Sequence, residues 1–344
     1  MTIDRSVGAE RSTGASVREK ARLGVLDLVP RLGGASAEEA LRQAVMLAQH
    51  AEAWGYSRYW TSEHHDMEEL ASASPEVLLA HVGALTKSIR LGSGAVLLPH
   101  YSPLKVAESF RLLSALYPGR VELGLGRAPG GGPHAAMALS GNYLQHVSKL
   151  PESLTALTQL LEDRYAYEEH PVRARPIPGK SPSLWMLGTN MKSAEYAARF
   201  GMGYAFGQFM SDTDGLEAVR RYRDGFIPSA DRTEPEVMVA VSVLCAETEQ
   251  EALDWSMEME RKRQSRGADS KAVPSADEAP PSGGQGPKRH YAGTADQVWT
   301  ELKGLASRLG THQLLAVTGG PDYERRLSSY RLLAECVFAH SCKA

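Results

Sequence analysis

The chain has 344 residues, with 38 Lys and Arg against 41 Asp and Glu and a formal net charge of −3. That balance excludes a polybasic nucleic-acid binder, and a hydrophobic content of 42% excludes a disordered polymer and supplies a sizeable core. The length fits either one large α/β domain or two of ordinary size.

Residues 1–20 carry no apolar h-region and read as a polar, disordered tail. Residues 22–29 (RLGVLDLV) read as a strand closed by Pro30. Ser36 and Glu39 have the spacing of a capping box, and Leu41, Val45 and Ala48 then recur at helical period until Gly55. A second strand spans 57–62. Ser74-Pro75 opens a helix with proline in its first turn, and 89–98 is the third strand. Ser102-Pro103 opens another helix, which Pro118-Gly119 ends before a strand at 121–126. Helix 151–163, strand 184–187, helix 191–200, strand 204–206 and helix 213–224 continue the alternation. Strand 237–245, helix 248–262, helix 295–309, strand 314–318 and helix 322–340 complete it.

Strands and helices that alternate without hairpin signals imply parallel strands joined by right-handed crossovers. Eight such units predict a single (β/α)8 TIM barrel over residues 21–344, with insertions. Residues 164–183, rich in Pro and Arg, are the expected insertion before the fifth strand. Residues 264–290 hold almost no large apolar side chains, so burial cannot offset their ordering entropy, and a mobile loop is expected there, as lid or linker. No window approaches the ~18 apolar residues of a membrane span. The three cysteines, Cys245, Cys336 and Cys342, have no CxxC spacing, which predicts bystander thiols in a reducing cytoplasm.

Barrel active sites lie at the C-terminal ends of the strands. Glu63-His64-His65-Asp66 follows the second strand and Leu98-Pro99-His100 the third. Arg127-Ala128-Pro129-Gly130 follows the fourth, and Gly188-Thr189-Asn190 ends the fifth. Neighbouring side chains on extended chain point to opposite faces, so His64 and His65 do not form a chelate, and no spaced ligand set accompanies them; no metal is expected. One of the two histidines instead faces the mouth as a proton donor or acceptor. Residues 124–130 fail the GxGxxG fingerprint, and Pro129 interrupts the place where its helix should open. Small residues there let a flat ligand approach the backbone, with Arg127 placed for an anion. Residues 187–193 run from a strand into a helix N-terminus, where Asn190 caps the helix or joins Ser193 in binding phosphate. Gly92-Ser93-Gly94-Ala95 is a stretch of minimal side chains, suited to a planar ring or to tight barrel packing.

Taken in order, these segments resemble the bacterial luciferase-like flavin monooxygenases. The likeness is carried by Tyr59-Trp60-Thr61-Ser62-Glu63-His64-His65, by residues 89–108, by Pro118-Gly119-Arg120 through Gly130, and by residues 187–201. It is closest to the subgroup that includes the mensacarcin-type polyketide-tailoring oxygenase. The resemblance implies a luciferase-like barrel and reduced FMN delivered by a separate flavin reductase. It also implies O2 activation through a flavin C4a-hydroperoxide, and a hydrophobic, aromatic polyketide-type substrate that is hydroxylated or epoxidised. It assigns proton transfer to His64, and to Gly94-Ala95, next to Ser93, a non-prolyl cis peptide beneath the flavin ring. It places Arg127, Asn190 and Ser193 around the FMN phosphate and Thr189 at the ring edge. It further implies a homodimer, with helices 75–87 and 103–116 as the expected interface, and neither nucleic acid nor membrane as partner. Two alternatives share the superfamily: an F420-dependent oxidoreductase and a non-catalytic flavin-binding subunit. The sequence departs from the subgroup at Gly131-Gly132-Pro133-His134, where an acidic residue is usual, and offers no second phosphate-binding arginine near residues 145–149.

Overall fold

A computed structural model describes residues 21–266 and 288–339. The expected tail 1–20, and residues 267–287 of the expected loop, lie outside the described residues. Eight parallel strands form a closed barrel. In order they are β1 (Arg22–Asp27), β2 (Arg58–Thr61), β3 (Arg90–Ser93), β4 (Val121–Gly126), β5 (Ser183–Gly188), β6 (Gly203–Gly207), β7 (Val237–Ala246) and, near the C-terminus, β9 (Gln313–Val317). β7 pairs with both β6 and β9, and β9 with β1, which closes the ring. Around it lie α1 (Ala37–Ala53), α2 (Pro75–Leu85), α3 (Pro103–Leu116), α4 (Pro133–Ser140), α5 (Tyr143–Ser148) and α6 (Leu150–Leu161). They are followed by α7 (Met191–Arg199), α8 (Leu216–Asp224), α9 (Glu249–Arg266), α10 (Ala295–Leu309) and α11 (Tyr323–Ala339).

The pleat sends alternate residues of each strand inward and outward. Outward Leu23, Val25, Tyr59, Leu123, Leu125, Val239 and Val241 form the core shared with the helices. Inward Leu26, Trp60, Trp185, Ala205, Met238, Ala240 and Leu315 fill the barrel. The two indoles meet edge to face at 5.9 Å, and both are buried. Glycine makes room for them: a Cβ at Gly92 would stand 2.1 Å from Trp60 Nε1, and one at Gly203 2.4 Å from Trp185 Cε3. Part of the glycine content is thus barrel packing. Below them, buried Glu122 accepts from Trp60 Nε1 at 2.7 Å and Arg90 at 3.2 Å, with Arg58 Nε at 3.6 Å.

Several local expectations are revised. A parallel strand absent from the sequence reading, β8 (His290–Thr294), pairs with the upper half of β7. The expected loop therefore loses both flanks, to the end of α9 and to β8. The insertion holds a two-stranded hairpin, Ala166–Tyr167 with His170–Pro171. The third strand breaks after Ser93 and resumes as Val96–Leu97. Ser36 accepts from the Glu39 N–H at 3.2 Å, but the Glu39 carboxylate turns to Arg42 at 2.6 Å, so only half of the capping box forms. The reciprocal box occurs instead at α10, between Thr294 and Gln297.

The last helix is tied to the first strand by a buried ion pair. Arg326 donates to Asp27 at 2.6 Å and to the Thr318 carbonyl at 2.8 Å, while Tyr59 and the Val29 N–H also donate to Asp27. Burial opposes the charge on Arg326, but Asp27 beside it outweighs that and pushes its pKa above the ordinary guanidinium value. Removing one partner strands the other charge. Arg326→Leu is expected to lower unfolding free energy by about 3–5 kcal/mol, with Arg326→Leu/Asp27→Asn costing less than the sum of the single changes. Guanidinium denaturation of the three variants checks this.

Candidate active site

At the barrel's C-terminal end, β3 leads into the Gly94–Ala95 peptide, which is cis. Gly94 lies on Leu26 and Trp60: a Cβ there would sit 2.4 Å from Leu26 Cδ1. Ser93 points elsewhere. Its hydroxyl donates to the Gly124 carbonyl at 2.8 Å and accepts from the Gly124 N–H at 3.0 Å, so this side chain stitches β3 to β4.

The next strands build a cationic cradle. Asn190 caps α7, accepting from the Ser193 N–H at 3.2 Å. The Arg127 guanidinium reaches across from the end of β4 to Asn190 Oδ1 at 3.2 Å and Ser193 Oγ at 3.5 Å. Gly188 lets Ser193 pack down: a Cβ at Gly188 would stand 2.1 Å from Ser193 Oγ. Tyr204 donates to the Gly188 and Asn190 carbonyls from below, and Tyr143 donates to the Arg127 carbonyl. Arg127, Asn190 and Ser193 are therefore brought together at a helix N-terminus, where N–H groups, the helix dipole and a guanidinium all favour an anion. Thr189 stands beside them, half-buried, at the mouth.

The histidines following β2 divide their roles. His64 hydrogen-bonds Ser62 Oγ through Nδ1 at 3.0 Å, and burial lowers its pKa below the ordinary imidazole value. His65 turns to Glu63 at 2.8 Å. Glu63 is buried and also accepts from Tyr101 at 2.8 Å and the Leu97 N–H at 3.0 Å. These three donors fasten the β2 loop to the segment that follows the cis peptide. His100 donates through Nε2 to the Pro129 carbonyl at 2.9 Å, contacts Ser140 Oγ through Nδ1 at 2.9 Å, and stacks on Tyr143 at 5.2 Å. Helices α4 and α5 occupy the stretch where the sequence departs from the subgroup. Glu63, Tyr143 and Tyr204 hold the site together. Only Glu63 carried a sequence signal, through its place in the EHH run; the tyrosines act through distant carbonyls.

Around these groups the mouth is apolar, with Leu28, Leu187, Phe209 and Val317 above the barrel filling. Among the described residues no group of three or more His, Cys, Asp or Glu is arranged to hold a metal ion. No helix of the described residues is long and apolar enough to cross a membrane.

An eight-stranded parallel barrel that gathers a bare cis peptide, an anion cradle and a half-buried histidine at its C-terminal face has the arrangement of a (β/α)8 barrel enzyme. The luciferase-like monooxygenase family matches residues 21–316, and the chain belongs to it. It is an enzyme, a luciferase-like monooxygenase. The chain is 42% identical to the uncharacterized protein YwcH of Bacillus subtilis (strain 168) over 328 residues, covering 91% of this chain and 98% of that one. The N-acetyl-S-alkylcysteine monooxygenase of the same organism is 40% identical over 234 residues, covering 67% of this chain and 70% of that one. Among solved structures, apo-MsnO8 superposes with a TM-score of 0.82 at 34% identity, covering 93% of this chain and 98% of that one.

Burial holds the imidazoles of His64, His100 and His290 below their ordinary pKa. The folded chain therefore keeps them neutral, while the unfolded chain takes up their protons as pH falls through about 6.5. The stability they favour is present above that pH and lost below it. Each contributes a slope of at most about 1.4 kcal/mol per pH unit. Denaturant midpoints should fall from pH 7.5 to 5.5; a flat profile would show that these rings are not held neutral.

Proposed function

We propose that the enzyme is a two-component monooxygenase that uses reduced FMN and O2 to hydroxylate or epoxidise a hydrophobic, aromatic polyketide-type small molecule. The observation that carries this reading is the joining of Arg127, Asn190 and Ser193 at the N-terminus of α7, one loop away from the Gly94–Ala95 backbone. The cradle suits a terminal phosphate, and the bare backbone beside it suits a flat ring. Bound there, reduced FMN would supply two electrons, with which one oxygen atom of O2 enters the substrate and the other leaves as water. The chain's own part is to hold the phosphate at Arg127, present Gly94 and Ala95 without side-chain obstruction, and exclude water with the apolar mouth. His64, neutral and half-buried, moves a proton at the reacting face through the ring nitrogen not engaged by Ser62. A separate reductase delivers the reduced flavin by diffusion.

Anaerobic titration separates this from an F420 oxidoreductase: reduced FMN should bind more tightly than reduced F420. A reductase-coupled assay under labelled O2 should then place label in the product. Tighter F420 binding, or oxidation without label, overturns the reading. His64→Ala should abolish most product formation; unchanged turnover would favour a non-catalytic flavin-binding subunit. Arg127→Ala should weaken FMN binding about 10–100-fold, the worth of a charge-assisted phosphate contact, while leaving riboflavin affinity unchanged.

We also infer a homodimer through α2 and α3. Val77 and Leu85, two turns apart with His81 between them on one, and Leu112 and Leu116, one turn apart on the other, are large apolar side chains left exposed. Light scattering should find a dimer for the wild type and a monomer for Leu112→Arg/Leu116→Arg.

A further inference from the structure

Strand β7 outruns the barrel. Its inward residues climb from Met238 and Ala240, within the barrel filling, to Ser242, and then to Leu244 and Ala246, which α9 covers with Ala252 and Trp255. Of the ten residues of β7, Ser242 alone is partly exposed, because it falls in the gap between the barrel filling and the covering helix. β8 lies alongside, with His290 paired to Ser242 in register. Ser242 Oγ and His290 Nδ1 are 2.8 Å apart, and His290 Nε2 lies 3.4 Å from Ser256 Oγ of α9.

The direction of these hydrogen bonds follows from the last partner. Ser256 donates its own proton to the Ala252 carbonyl at 2.8 Å, so toward His290 it can only accept. His290 Nε2 therefore carries the proton, Nδ1 is the acceptor, and the Ser242 hydroxyl donates to Nδ1. Burial, reinforced by Lys288, lowers the pKa of the imidazole and keeps this arrangement at neutral pH. Ser242 is then left with lone pairs and no proton for anything in the mouth. The same corner holds a second acceptor: Gln208 is buried, its Nε2 donates to the Lys288 carbonyl at 3.3 Å, and its Oε1 has no hydrogen-bond partner among the described residues. Val317, paired in register with Ser242, lies beside it and belongs to the apolar barrel filling.

We propose that Ser242, oriented by His290, is a substrate-recognition residue that accepts a hydrogen bond from a hydroxyl or N–H group on an otherwise apolar molecule. The proposal rests on the barrel mouth being the active site, and it narrows the substrate class to donor-bearing aromatics such as phenols. His290 is a positioning residue: without it the serine hydroxyl rotates and serves as donor or acceptor equally. An ether or ketone in place of the hydroxyl leaves Ser242 facing a second acceptor, and a site built for a polar partner discriminates against such analogues.

The test compares 2-naphthol with 2-methoxynaphthalene, their binding followed by probe fluorescence in the full chain with and without reduced FMN. The wild type should prefer 2-naphthol about tenfold, the worth of one hydrogen bond. Ser242→Ala should bring the ratio to about one, Ser242→Thr should restore it, and His290→Ala should reduce it with Ser242 still in place. A wild-type ratio near one, absence of naphthol binding, or an unchanged ratio in Ser242→Ala overturns the proposal. Flavin affinity is measured separately in each protein. Loss of FMN binding by the wild type would sink the flavin reading while leaving the naphthol ratio to judge Ser242.

Discussion

The fold depends on two tryptophans sharing the inside of one barrel. Trp60 and Trp185 enter from β2 and β5, with β3 and β4 between them in the ring, and meet edge to face, a geometry that aromatic quadrupoles favour. They fit because Gly92 and Gly203 remove the side chains that would occupy the same space. Once the indoles and the Glu122 cluster fill the lower barrel, the space left lies above them, at the strand C-termini. The position of the mouth is thus a consequence of packing. Its bed, Leu26 and Trp60 under Gly94, is the top of the same plug.

From that plug, rigidity passes outward through polar groups that anchor loops. Glu63 gathers three donors from the β2 and β3 loops, and Tyr204 and Tyr143 each grip carbonyls next to the cradle. Binding groups held this way need little reorganisation when a ligand arrives, because their partners are already in place. The Asp27–Arg326 pair does the same at a larger scale, fixing the last helix against the first strand so that the ring closes in one register.

The barrel was legible in the sequence because each unit carries its own local signal: an apolar run, a cap or proline, then helical period. Strand 121–126 and helix 295–309 were placed to the residue, since turn residues bound them sharply. β8 was missed because five residues that include Gly293 and Thr294 carry no apolar run, and only pairing with the overhang of β7 makes them a strand. The cradle residues were legible as chemistry at strand ends, but their contact was not, since Arg127 and Asn190 are brought together by barrel closure. Ser93 shows the opposite error: a small polar residue in a glycine-rich run looks ready for a ligand, yet strand pairing consumes its hydroxyl. Ser242 and His290 gave no signal, being remote in sequence and joined by the strand that was missed.

In the proposed reading these features divide one reaction among separate walls of the mouth. The cradle at β4 and β5 takes the charged end of the cofactor, the β2 histidine handles the proton, and the β7–β8 corner reads the substrate. β7 and β2 are separated by β9 and β1, so the recognition point and His64 stand on different walls of the barrel. A molecule held at Ser242 by one hydroxyl would extend its apolar body over Val317 and Leu28 toward the bare Gly94 backbone. That arrangement separates the group that is recognised from the carbon that is oxidised, so the distance between them along the substrate would set where oxygen is inserted. Regiochemistry would then follow from barrel geometry, with the chain fixing two points and the substrate's own length choosing the third.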